Sequence, residues 1–181
     1  MKSSNAVRRF CMPRDAVPPP MLNCTCVSYQ GNILRLFNDL RGAWRVQRKL
    51  GDVGTMQGVA HFSAWAPGVW HYEEKGWAAW GRARRTPVQR AYAYLYNDGA
   101  IAVHFWDSAA HRPGGLLHAL QFESQPGTDA WVAVGCHRCG QDTYQAMYRF
   151  CLPAHFQLTY WVRGPRKHYV LQTQLERIVQ R

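Results

Sequence analysis

From Gly42 onward the chain alternates polar and apolar residues with a period of two, and glycine- or proline-bearing turn signals break the alternation at short intervals. Side chains on a strand point alternately to its two faces, so this pattern specifies half-buried strands. Candidate strands span 43–50, 56–64, 68–75, 88–97, 100–107, 116–123, 130–137, 143–151, 156–163 and 166–178. Most are separated by turn signals such as Gly51–Gly54, Pro67-Gly68, Asp98-Gly99, Pro113-Gly114-Gly115, Pro126-Gly127 and Gly164-Pro165. About ten strands joined by short turns predict an antiparallel meander. Closure into a barrel removes the exposed edges an open sheet would leave. The expected fold class is therefore all-β, a single antiparallel up-and-down β-barrel.

One segment has helical spacing instead. In GNILRLFNDLRG, Ile33, Leu34, Phe37 and Leu40 form an apolar stripe, with Asn32 as N-cap and Gly42 as the stop. A short N-terminal helix near 32–41 is expected to plug or lid the barrel.

Two strands carry more detail. With Asp98-Gly99 as a two-residue turn, Asn97 faces Ala100, Tyr96 faces Ile101, Tyr94 faces Val103 and Tyr92 faces Phe105. That register collects tyrosines, Ile, Val and Phe on one face, closed by an expected Arg90–Asp107 pair. In the last strand the odd positions Tyr169, Leu171, Thr173 and Leu175 form the buried face, yet Lys167 and Arg177 stand at its two ends.

A length of 181 residues with 47% apolar and 18% charged content suits one folded domain. No apolar run approaches the ~20 residues of a membrane span. The net charge of +11 permits an anionic partner such as RNA, an acidic protein surface or a lipid headgroup, or reflects a basic tail and loops. Residues 1–27 form a basic, proline-containing extension ahead of a barrel domain over 28–181. Its Lys2, Arg8, Arg9 and Arg14 against Asp15 have the composition of a mitochondrial transit peptide, the alternative being a basic tail on a cytoplasmic protein. The six cysteines are expected to be reduced.

Gly42-Ala43-Trp44, directly after the helix, resembles the opening of lipocalin-like barrels. In those folds an arginine of the last strand packs over the tryptophan, a role that Arg177 matches. A narrower resemblance spans 36–178 and rests on Gly42, Trp44 and Arg48; Gly58, Ala60 and Phe62; Tyr72, Glu74 and Gly76; and Arg90, Tyr92 and Tyr94. It continues through Phe105, Asp107, His118, the string HRCGQDTY, Trp161, GPRK, Tyr169, Thr173 and Arg177. On these residues the chain resembles the small lipocalin-like family known as domain of unknown function 6314. The loop SAAHRPGGLL is longer than the resemblance leads one to expect. The resemblance implies a barrel and assigns no activity.

Three functional readings follow. The first is a non-catalytic barrel binding a small, acidic ligand. Its interior site would use Tyr72, Glu74, Arg90, Tyr92 and Tyr94 from the first half of the chain. His118, His137, Asp142, Tyr144, Lys167 and Tyr169 would complete it, with Arg90 and Lys167 holding the acid group. The second is an accessory subunit of a mitochondrial protein or RNA assembly, docking through Trp77, Trp80, Arg82, Arg84 and Arg85. The third is an enzyme using Glu74, His118, His137 and Asp142 in the barrel mouth. No metal or cofactor is expected. Cys24, Cys26, Cys136 and Cys139 lack a recognised zinc-site spacing, and Gly140 follows Cys139 where haem attachment needs histidine.

Overall fold

A computed structural model describes residues 32–81, 85–124 and 130–179. The extension over 1–27, with Cys24 and Cys26, and the loop arginines Arg82 and Arg84 lie outside the described residues.

Helix α1 (Ile33–Asp39) is capped by Asn32, whose side chain accepts the Arg35 N–H at 2.9 Å. Leu36, Phe37 and Leu40 are buried, whereas Leu34 is 42% exposed, so the apolar stripe is rotated from the expected one. Eleven strands follow: β1 (Gly42–Leu50), β2 (Gly54–Ala66), β3 (Val69–Trp80), β4 (Thr86–Asn97), β5 (Ala100–Asp107) and β6 (Arg112–Ala119). They continue as β7 (Gln121–Ser124), β8 (Trp131–Cys139), β9 (Asp142–Cys151), β10 (His155–Gly164) and β11 (Lys167–Arg177).

All pair antiparallel in the order β6-β5-β4-β3-β2-β1-β11-β10-β9-β8-β7, so the last strand pairs with the first. The count exceeds ten because the strand expected over 116–123 breaks at Leu120, whose N–H turns to the Ile101 carbonyl at 2.9 Å. The two ends of the sheet, β6 and β7, are thus consecutive in the chain. Across the remaining seam His118 of β6 packs on Gly135 of β8, where a Cβ would lie 2.8 Å from the His118 Cβ. The result is a nearly closed barrel.

The Asp98-Gly99 hairpin has the expected register, with Tyr92 opposite Phe105, Tyr94 opposite Val103 and Tyr96 opposite Ile101. Positive φ at both turn residues (45° and 79°) matches the twist of the flanking strands. The expected Arg90–Asp107 pair is absent among the described residues. Asp107 faces Arg112 in the ladder, and its carboxylate accepts the N–H groups of Ala109 and Ala110.

One end of the barrel is closed. Trp44, fully buried, donates its indole N–H to the Leu40 carbonyl at 2.8 Å and meets Phe62 and Phe156 edge-on. Trp70 donates to the Phe37 carbonyl and stacks on its ring, fixing α1 as the stopper. The Arg177 guanidinium lies over the Trp44 indole, 4.2 Å from its ring centre, in a cation–π contact. It also donates to the carbonyls of Asp39, Arg41 and Pro153. Gly42, at φ +115°, leaves space that a side chain would take from the guanidinium, since a Cβ there would lie 3.1 Å from Arg177 Nη1.

Candidate functional site

The inward faces of β1, β3, β4 and β11 place charged and phenolic side chains halfway along the barrel. Arg48 donates two bonds of 2.7 Å to the two carboxylate oxygens of Glu74 and one of 2.8 Å to the Thr173 hydroxyl. Tyr72 donates to Glu74 Oε2 at 2.6 Å. Arg48, Glu74 and Thr173 are all buried. Burial pushes the Glu74 carboxyl up, but the Arg48 hydrogen bonds and charge, helped by Tyr72, hold it below its usual range. The same partner keeps Arg48 firmly protonated against the cost of its burial. Burial, reinforced by the Glu74 charge, drives the Tyr72 phenol up, so it remains a donor.

Further around the barrel Tyr148 lies 3.0 Å from His118 Nδ1, with Tyr160 tilted against the imidazole. Burial lowers the His118 pKa to about 4, so the ring is neutral at pH 7. Its Nε2 has no hydrogen-bond partner among the described residues.

Among the described residues these side chains enclose a chamber of about 30 Å³. Arg48, Tyr72, Glu74, Arg90, Tyr92 and Tyr94 contribute to its wall. The interior is therefore largely packed, which rules out an open lipocalin-type cavity at mid-height. Space opens beyond it. A cleft of about 940 Å³ lies at the end of the barrel opposite α1. Its walls include the β1–β2 turn (Gly51, Asp52, Val53), Trp80 and Arg90, and Tyr169 and Leu171. It also touches the outward-facing Lys49, Thr159, Trp161 and Gln172, so it runs over the rim of the barrel onto its outer wall. Arg90 lines both spaces and, among the described residues, has no hydrogen bond or ion pair.

Lys167, read from sequence as the acid holder, is already engaged. Its ammonium sits 2.6 Å from Asp142 Oδ2, donates to the Tyr144 hydroxyl at 2.8 Å, and lies 5.4 Å from the Tyr144 ring centre. The Asp142 and Tyr144 hydrogen bonds raise its pKa. The strings HRCGQDTY and GPRK thus meet at the rim of the barrel, where Asp142 occupies the space above Gly164. A Cβ at Gly164 would overlap that carboxylate. Gly164→Ala should turn Asp142 away from Lys167 and lower the urea midpoint of unfolding. Wild-type stability in that variant would show that the contact is dispensable.

The other sequence candidates separate. His137 packs on Phe105 and Tyr144 and lines neither space described above. Of Glu74, His118, His137 and Asp142, only Glu74 reaches a described cavity, and its carboxylate is taken by Arg48 and Tyr72. Trp77 and Trp80 belong to β3 rather than to a loop, and their spacing of three sends them to opposite faces. Trp77, 55% exposed, is on the outer wall and Trp80 is at the cleft, so with Arg85 they form no single aromatic patch. Arg48 was not singled out as a site residue from sequence. Among the described residues no three His, Cys, Asp or Glu side chains converge as a metal site. Cys151 is disulfide-bonded, against the expectation of reduced thiols. No described helix is long and apolar enough to cross a membrane.

A nearly closed antiparallel barrel, stoppered by a helix under an arginine–tryptophan stack and open at the other end, is a small lipocalin-like barrel. The chain belongs to the family of unknown function DUF6314, whose model matches residues 40–177. An S-type phycobiliprotein lyase (CPES) from Guillardia theta has a similar structure, with a TM-score of 0.55 at 9% identity, covering 84% of this chain and 96% of that one. A redesigned β-barrel aligns with a TM-score of 0.45 at 14% identity, over 82% of this chain and 100% of its own. Another, mFAP1 bound to DFHBI, gives 0.44 at 16% identity, over 79% and 99%. At such identities the likeness shows the fold alone. No curated protein matches by sequence.

Proposed function

We propose that the chain is a non-catalytic barrel that binds a small organic acid at its open end. The observation that carries this reading is the cleft of about 940 Å³ with the unpaired Arg90 in its wall. Its size falls in the ordinary range for small-molecule sites, roughly 300–1,000 Å³. Trp80, Tyr169 and Leu171 supply apolar and aromatic surface, and a few polar groups fix orientation. Arg48 and Glu74 neutralise each other, and so do Lys167 and Asp142. Arg90 is therefore the inward-facing cation left to meet an anion.

The test is native mass spectrometry of the chain purified from its own source, repeated on Trp80→Ala. The expected result is an organic adduct on the wild-type chain, with occupancy at least about fivefold lower in the variant. An adduct retained undiminished by Trp80→Ala places the ligand elsewhere. A wild-type chain that emerges bare and then fails to bind aromatic carboxylates in calorimetry overturns the reading.

A further inference from the structure

The chamber beneath the cleft narrows the ligand class, an inference that rests on the mouth-binding reading above. Its volume is about 30 Å³, so it takes a small head group and none of a ligand's body. The planar carboxylate is the least bulky of the common anionic head groups, whereas a sulfonate or phosphate is tetrahedral.

The charge in the chamber wall points the same way. Its ionised residues are Arg48, Glu74 and Arg90. The first two are locked together by their paired 2.7 Å bonds, leaving one positive charge on Arg90. Tyr92, two residues along β4 and on the same face, also lines the chamber, and its hydroxyl has no hydrogen-bond partner among the described residues. A guanidinium without a hydrogen bond or ion pair, opposite Glu74 in the ladder, and a phenol without a hydrogen bond flank this space. They suit a singly charged acceptor with two lone-pair-bearing atoms. Arg90 stands at the junction, because it lines the cleft as well. We propose that the barrel binds a monocarboxylate head-down, its carboxylate in the chamber between Arg90 and Tyr92. Its apolar body lies in the cleft against Trp80, Tyr169 and Leu171.

Calorimetric titration of the full chain with 6-(2-naphthyl)hexanoate, the matching primary amide and the matching sulfonate tests this. The carboxylate should bind at least about tenfold more tightly than either analogue. In Arg90→Gln the carboxylate should fall to within about twofold of the amide. Tyr92→Phe should weaken the carboxylate alone by about fivefold. Thermal unfolding of each variant checks that the fold is kept. Equal affinity for carboxylate and amide, equal affinity for carboxylate and sulfonate, or a carboxylate preference that survives Arg90→Gln would each overturn the head-down placement. The cleft reading outlives those results if Trp80→Ala still weakens all three probes alike. Failure of all three to bind the wild-type chain overturns the cleft reading, and this inference with it.

Discussion

Glu74→Ala is expected to lower the unfolding free energy by about 3–5 kcal/mol, the range found when one partner of a buried ion pair is removed. The carboxylate it deletes accepts both terminal Arg48 bonds and the Tyr72 hydroxyl. Without it a guanidinium that is only 9% exposed is left with the Thr173 hydroxyl. The chamber alongside is small, about 30 Å³, and enclosed by packed side chains. Replacing both partners, as Arg48→Met with Glu74→Leu, should cost far less, because no charge is then stranded. Urea unfolding of the two variants separates these cases. A loss below about 1 kcal/mol for Glu74→Ala would mean that water reaches Arg48 and that the barrel is not packed at this level. Acid adds a second check. The folded Glu74 pKa lies below its unfolded value, so the pair's contribution is present above the unfolded pKa. It is lost as pH falls through the folded one, and Glu74→Ala should flatten that part of the stability profile.

The sequence carried the barrel because the period-two pattern and the turn residues are local signals, and each strand can be read from its own residues. The Asp98-Gly99 hairpin shows the limit of that locality. Its register extends as far as Tyr92 opposite Phe105, where pairing is dictated by the turn. On its other edge β5 meets β6 through two irregularities, between Val103 and Trp106, and Asp107 follows β6 instead of Arg90. The same holds for the strand expected over 116–123. Nothing in its composition marks Leu120 as the position where the chain leaves β5 and starts β7, because that break is imposed by closure of the barrel.

The central ion pair was hidden for a related reason. Arg48 and Glu74 are not cross-strand partners. They sit on β1 and β3, with β2 between them, and meet across the inner surface. Gly58 and Ala60, on inward positions of β2, leave the room for this. Pattern reading finds ladder neighbours and misses contacts made over small residues. Lys167 failed in the opposite sense. Its partner Asp142 lies in a string already picked out as distinctive, but linking the two required knowing that β9 and β11 both flank β10 and end at one rim. What remained was Arg90, whose significance lies in the partners it lacks, and lack of a partner cannot be read from a sequence.

Arg177→Ala is expected to cost about 2–4 kcal/mol, nearly all of it at the closed end of the barrel. The guanidinium satisfies three carbonyls at once: Asp39 at the last turn of α1, Arg41 in the following link, and Pro153 in the β9–β10 turn. It also covers the indole of the fully buried Trp44. The carbonyls at the end of a helix have no intrahelical donors, so deletion leaves them to whatever water can reach them. Arg177→Lys should recover less than half of the loss, although it keeps the charge. An ammonium is a compact donor group and cannot spread a planar fork over three acceptors while lying flat on an indole. Near-UV circular dichroism should report both changes through Trp44, and thermal unfolding should rank the variants wild type, Lys, Ala. Full rescue by lysine would make charge near the helix C-terminus the source of stability and the fork incidental. Because Arg177 lies at the closed end and Arg90 at the junction of chamber and cleft, Arg177→Ala should leave the affinity for the naphthyl carboxylate within about twofold of wild type. A larger drop would mean that the stopper and the mouth are coupled through the packed interior.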